Sequence, residues 1–187
     1  MILPIYIYGS EVLREQASDI DLEKVDKEEL AKFIADMYET MYKAEGVGLA
    51  APQVGKSLKL AIVDGNDLAD VYPYLKGFKR TMINPEILEF SEDTVEYAEG
   101  CLSVPNINCN VVRPCKVKVR YLNEKLEEVV EEFDKFGSRM VQHELDHLAG
   151  TLFTDHAAPI RKKMISSKLH NIARGKVSTF YKTKLVK

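Results

Sequence analysis

The chain has 187 residues, enough for one domain with its own core, and its 45% hydrophobic and 29% charged content is that of a soluble globular protein. Three cysteines, at 101, 109 and 115, are too few for a disulfide framework, and no stretch reaches the length of a membrane span or a signal peptide, so a cytoplasmic protein is expected. The formal charge of −3 is uneven: residues 156–187 carry nine Lys or Arg and no acid, leaving −12 on the remainder and suggesting either an anionic partner for the tail or a solvated helix face.

Residues 1–25 read as an extended arm and loop, with Leu3, Ile5, Ile7, Val12 and Leu13 as points of attachment. Asp26-Lys27-Glu28-Glu29 has the form of a capping box. Leu30, Phe33, Ile34, Met37 and Met41 follow at helical spacing, predicting a helix of about 17 residues that ends before Gly46. In Gly46–Gly55, small residues bracketed by glycines let backbone approach a ligand closely, and Gln53 supplies an uncharged donor and acceptor. The stretch lacks a phosphate-loop signature, and alone it reads equally well as a structural turn. Leu58–Val63 reads as a strand, residues 64–80 as an irregular loop, and Met82–Pro85 and Ile87–Phe90 as short strands, with β character continuing at Val95 and Tyr97.

In Glu99-Gly100-Cys101-Leu102-Ser103-Val104-Pro105, the glycine permits an unusual backbone and Pro105 stops any helix, so Cys101 is expected in a loop or at a strand end. A lone cysteine is most often a small buried thiol. Cys109 and Cys115 lack the glycine context and are assigned to structure. Cys115–Leu122 alternates cleanly, Asn123-Glu124-Lys125 turns, and Val129, Val130 and Phe133 return, giving a hairpin with one wet face.

A helix from about Gly137 to Ala149 then carries Gln142-His143-Glu144-Leu145-Asp146-His147, which holds two of the four histidines. One turn apart on one face, His143 and His147 can grip a single metal ion, with Glu144 beside it to take a proton from water. The bland alternative is an exposed helix that happens to carry histidines, but Met140, Leu145 and Leu148 offer an apolar side for packing. The third ligand is missing downstream. Phe153 stands where an extended H-E-x-x-H motif would place its next histidine, and no acid follows Asp155. An upstream ligand is therefore expected, and a thiolate from Cys101 becomes the better reading of that residue. A last helix is predicted from Pro159 to Gly175, with Ile160, Met164, Ile165, Leu169 and Ile172 on its apolar side. The expected fold class is α+β: one domain over 1–187, antiparallel or mixed β-sheets around a central metal-binding helix, an N-terminal helix and a basic C-terminal helical tail over 156–187.

Three ordered stretches, Gly46-Val47-Gly48-Leu49-Ala50-Ala51-Pro52-Gln53, Glu99-Gly100-Cys101-Leu102-Ser103 and Gln142-His143-Glu144-Leu145-Asp146-His147, together resemble the peptide deformylases, in particular the bacterial form with a C-terminal helix. The resemblance implies an amidase that removes the N-terminal formyl group from formyl-methionine of newly synthesised polypeptides. It implies Cys101, His143 and His147 as ligands of one divalent metal, iron(II) in the cell, with zinc, nickel or cobalt accommodated. Glu144 matches the general base and acid of the metal-activated water. Gln53 and the Leu102 N–H match the donors to the formyl oxygen, and Glu99 with Arg113 a structural ion pair. Gly46, Val47, Gly48 and Gly100 are expected along the peptide, and Val47, Tyr97, Leu102 and Met140 around the methionine side chain.

The resemblance gives the basic tail a partner, the phosphate-rich ribosome surface, with no sequence-specific nucleic acid and no membrane involved. The chain departs from the family pattern in a loop at Asn106–Asn110, in His156 after Asp155 and in a longer 64–80 loop. Rival readings are a zinc endopeptidase and a non-catalytic metal-binding or ribosome-associated module.

Overall fold

Leu60–Asp64 (β3) is buried along its whole length because both faces of its sheet are covered. In the computed structural model, which describes residues 1–187, β3 lies in a five-stranded antiparallel sheet. Its partners are Gly48–Ala50 (β2), Lys79–Phe90 (β4), Val117–Leu122 (β7) and Glu128–Phe133 (β8), in the order β2-β3-β4-β7-β8. Strand periodicity divides the core. Leu60 and Ile62, with Leu49 and Ile83, face a helix at Lys27–Lys43 (α1) through Leu30, Ile34, Met37 and Met41. Ala61 and Val63, with Met82, Val119 and Tyr121, face a second helix at Lys135–Leu148 (α2) through Met140, Val141, Leu145 and Leu148. The start of α1 is held as its sequence predicts, with Asp26 Oδ1 accepting from Glu28 N–H at 2.8 Å and Glu29 N–H at 3.1 Å.

A second pair of strands, Thr94–Cys101 (β5) and Val104–Pro114 (β6), meets the polar side of α2. Arg139 donates to the carbonyls of Val95 at 2.7 Å and Val111 at 2.8 Å, and Gln142 Nε2 donates to the Pro114 carbonyl at 2.9 Å. The metal-motif helix is thus buried on its polar side as well as its apolar one. The α+β architecture and the central place of this helix agree with expectation.

Several local expectations are corrected. Met82–Pro85 and Ile87–Phe90 belong to the single strand β4, which shifts register at Asn84–Pro85 because Pro85 has no N–H to give the ladder. Asn84 takes a left-handed φ of 49° and exchanges two hydrogen bonds with the backbone of Ile20. The Asn106–Asn110 stretch is not a loop but part of β6, with Ile107 and Cys109 buried between exposed asparagines. The 64–80 segment contains two short 3-10 turns and buries Leu75.

The N-terminal arm forms a two-residue strand, Ile5–Tyr6 (β1), and a 3-10 turn at Glu11–Arg14. Nor is the basic tail all helix. Its helix runs Pro159–Ile172 (α3), and after Gly175, at φ 73°, the chain returns extended so that Thr183–Lys184 (β9) pairs in parallel with β1. Ile165 and Ile172 are buried, but Ile160 and Met164 are exposed. At ~100° per residue they project roughly a third of a turn from the buried pair. No helix is long and apolar enough to cross a membrane.

Candidate active site

Cys101 ends β5 where the register with β6 shifts, so the strand closes and its thiol turns toward α2. The bare backbone of Gly100 before it leaves room for the Asn108 side chain: a Cβ there would come within 2.6 Å of Asn108 Oδ1, which would have to turn aside. His143 and His147 are one turn apart on α2, and their ring nitrogens and Cys101 Sγ all lie within 4.8 Å of one another. Cys101 Sγ is 3.3 Å from His147 Nε2. His143 Nδ1 donates to Glu99 Oε1 at 2.8 Å, which leaves its Nε2 for the site. Burial, reinforced by the neighbouring His143, holds His147 well below the ordinary histidine range and so keeps a neutral imidazole with a free lone pair. One thiol and two imidazoles form a donor set that fits a divalent transition metal.

Behind this cluster lies a buried ionic network. Glu99 accepts from Arg113 at 2.7 and 3.0 Å and from Arg139 at 2.6 Å. Arg113 also reaches Asp146 at 2.7 Å, and Asp146 meets His156 at 2.9 Å. Burial alone would raise the Glu99 carboxyl, but bonds from His143 and Arg113 outweigh it and hold Glu99 well below the usual range. His143 is therefore oriented by a carboxylate that two arginines hold in turn.

Glu144 is buried, and its Oε2 has no protein hydrogen-bond partner. It presses on the backbone of β2: a Cβ at Gly48 would come within 2.7 Å of Glu144 Cδ. Burial pushes its carboxyl up to about 7, against the opposing influence of His143. A carboxyl poised near neutrality can both take and give a proton. Gln53 sits in a 3-10 turn at Ala51–Val54. Its Oε1 accepts from Ala50 N–H at 2.8 Å, so Nε2 is turned to Ser103 Oγ at 3.1 Å and Cys101 Sγ at 3.5 Å.

These groups open on a cavity of about 710 Å³. Gly46, Val47, Gly48, Gly100, Leu102 and Met140 line it together with Gln53, Cys101, His143 and Glu144, while His147 is buried behind. Tyr97 is not in the lining. Its ring packs edge-on against Phe136 at 5.8 Å and beneath Arg139 at 5.1 Å. Phe136 lines the cavity instead. Sequence reasoning passed over Phe136, Arg139 and the C-terminal residues Ser178–Tyr181, which also line it. The only signal for Phe136 was its place one turn before Met140 on the metal helix.

The polypeptide deformylase family model matches residues 2–163. The chain belongs to this family. The family is a metal-dependent enzyme family, in keeping with the thiol-and-imidazole cluster. A peptide deformylase of Cytophaga hutchinsonii is 42% identical over 184 residues, spanning 98% of this chain and 97% of that protein. A peptide deformylase crystal structure from Legionella pneumophila superposes with a TM-score of 0.80 at 36% identity, over 94% of this chain and 98% of its own. An actinonin-bound class I type b peptide deformylase from Acinetobacter baumannii gives 0.75 at 37% identity, over 84% of this chain and 99% of its own. Most of α3 and all of β9 lie beyond the family match, which ends at residue 163.

Proposed function

We propose that this site removes the N-terminal formyl group from formyl-methionine of newly made polypeptides and releases formate. The observation that carries the reading is the placement of buried Glu144 between the Cys101–His143–His147 cluster and the backbone of β2, the edge strand of the main sheet. An extended peptide can add to that edge along Gly46–Gly48 and bring its first residue to the cluster.

Cys101, His143 and His147 would hold one divalent ion, iron(II) in the cell, with zinc, nickel and cobalt suited to the same donors. Such an ion supplies Lewis-acid activation of water at neutral pH. Glu144 takes the proton from the attacking water and returns it to the departing amine, a task matched to its near-neutral carboxyl. Gln53 Nε2, aimed by the Ala50 bond to its oxygen, and the Leu102 N–H donate to the formyl oxygen as charge develops there. Val47, Leu102, Met140 and Phe136 offer the apolar surface for the methionine side chain, a place Tyr97 does not reach.

Leu102 packs directly on Gly46 beside the cluster, and a formyl group, with only hydrogen on its carbonyl carbon, asks less room there than an acetyl group. Formate release from a formyl-methionyl peptide is the test. Turnover of the formylated peptide with little on its acetylated twin is expected. Equal rates on both would refute the selectivity, and cleavage of an unformylated internal bond would favour an endopeptidase. The neighbour solved with actinonin supports a cavity open to that compound, which is expected to compete with substrate here.

The exposed lysines of α3, Lys162, Lys163 and Lys168, form a basic surface through which the enzyme would dock on the phosphate-rich ribosome, in the cytoplasm where formylated chains emerge.

A further inference from the structure

After α3 the chain crosses the mouth of the active-site cavity and finishes beside the N-terminal arm. Its far end is tied down by β9 pairing with β1 and by Val186 N–H donating to Ser10 Oγ at 3.2 Å. Over the cavity it is tied down twice more. The Tyr181 hydroxyl donates to the Leu102 carbonyl at 2.8 Å, and Asn106 Nδ2 donates to the Ser178 carbonyl at 3.4 Å. Thr179 Oγ1 donates to the Tyr181 carbonyl at 2.7 Å and bends the short stretch between these anchors.

In consequence Ser178, Thr179, Phe180 and Tyr181 line the same cavity as Glu144 and Gly46–Gly48. Phe180 is left 72% exposed there, held edge-on to Tyr181 at 5.2 Å between ring centroids. A large apolar ring held on an anchored rim, in contact with a catalytic cavity, is placed to cover a ligand. The cavity, at about 710 Å³, is in the size range that takes a drug-sized ligand, more than a formylated methionine alone fills.

We propose that Ser178–Tyr181 forms the second wall of the peptide groove and that Phe180 is a specificity-determining residue, packing against the side chains that follow the formylated methionine. The proposal rests on the deformylase reading of the site. It assigns a substrate preference to a stretch outside the family match: formylated peptides with an apolar residue at the second or third position gain from Phe180. The Tyr181 anchor joins this wall to Leu102, so the groove and the reacting end of the site share one fixed point.

The test compares formyl-methionine amide with formylated tripeptides and tetrapeptides carrying leucine or phenylalanine after methionine. The unaltered enzyme, Phe180→Ala and Phe180→Tyr are each assayed for kcat and KM. For the unaltered enzyme kcat/KM rises with length through a falling KM. Phe180→Ala shrinks that rise by about three- to tenfold, the range expected for loss of one aromatic contact, with kcat little changed, and Phe180→Tyr restores most of it. An identical length dependence in the unaltered enzyme and Phe180→Ala overturns the proposal. Failure of the unaltered enzyme to release formate from any of these formylated substrates, short or long, overturns the deformylase reading itself, so the two failures are told apart by one control.

Discussion

Gly48 and Glu144 illustrate how closely the proposed proton-transfer carboxyl and the backbone of β2 are fitted. Adding one methyl at Gly48 would force Glu144 aside, since the new Cβ would sit 2.7 Å from its Cδ and 2.8 Å from its Cγ. Displacing a proton-transfer group by about 1 Å costs on the order of 100-fold in rate, and overpacking costs about 1–3 kcal/mol in stability. Gly48→Ala is therefore expected to lose formate release far more than it loses folding. Measuring turnover beside the melting temperature separates the two, and an active Gly48→Ala enzyme would show that Glu144 has room to spare. At this scale much was legible beforehand. Cys101, Gln53, His143, Glu144 and His147 carry side chains whose chemistry is rare and whose spacing is informative. Phe136 and Tyr97 were not separable, because two aromatics near one cavity are told apart only by which strand or helix face carries each. Arg139 was missed for another reason: an arginine in a helix reads as solvated, and here it is buried against Glu99 and two carbonyls.

Helices with strong caps and a regular apolar period were legible as elements, and α1 and the β7–β8 hairpin fall where the pattern places them. The Asn106–Asn110 strand was hidden because asparagine has poor β propensity, although its alternation with Ile107 and Cys109 is a strand signal. The C-terminal region was hidden differently. β9 is only two residues long and exists because β1 offers an edge, a pairing across nearly the whole chain that no local pattern announces. For α3, burial of Ile165 and Ile172 leaves Lys162, Lys163 and Lys168 exposed around the rest of the helix. Reversing three charges there, Lys162→Glu, Lys163→Glu and Lys168→Glu, is expected to abolish salt-sensitive co-sedimentation with ribosomes while activity on free peptides persists. Unchanged co-sedimentation would remove α3 from ribosome docking. Truncation is a poorer test, because it would expose the core beneath Ile165 and release β9.

For the whole molecule, the carboxylates that tie elements together predict how stability responds to acid. Glu131 on β8 accepts from Arg80 on β4 at 2.7–3.2 Å and from Tyr121 on β7 at 2.7 Å. Burial pushes its carboxyl up, but Arg80 and Tyr121 outweigh that and leave it below the ordinary 4.5. Asp155 is lowered in the same way, its bond to Arg14 outweighing burial. A carboxyl depressed by folding stabilises the native state above its unfolded-state value and loses that contribution as pH falls through the folded one. Urea unfolding between about pH 6 and pH 3 should show stability falling, with a shallower fall for Glu131→Gln. Parallel curves would mean that Glu131 is not a source of the acid sensitivity.

Glu144, held between the Cys101–His143–His147 cluster and β2, is proposed to carry the proton in hydrolysis of a formyl group. The most direct measurement is formate release from a formyl-methionyl peptide by Glu144→Gln, with bound metal quantified in the same sample. The expected result is full metal content with a rate reduced by about 10²- to 10⁴-fold. A metal-replete Glu144→Gln enzyme that releases formate at nearly the unaltered rate would rule out that role for Glu144.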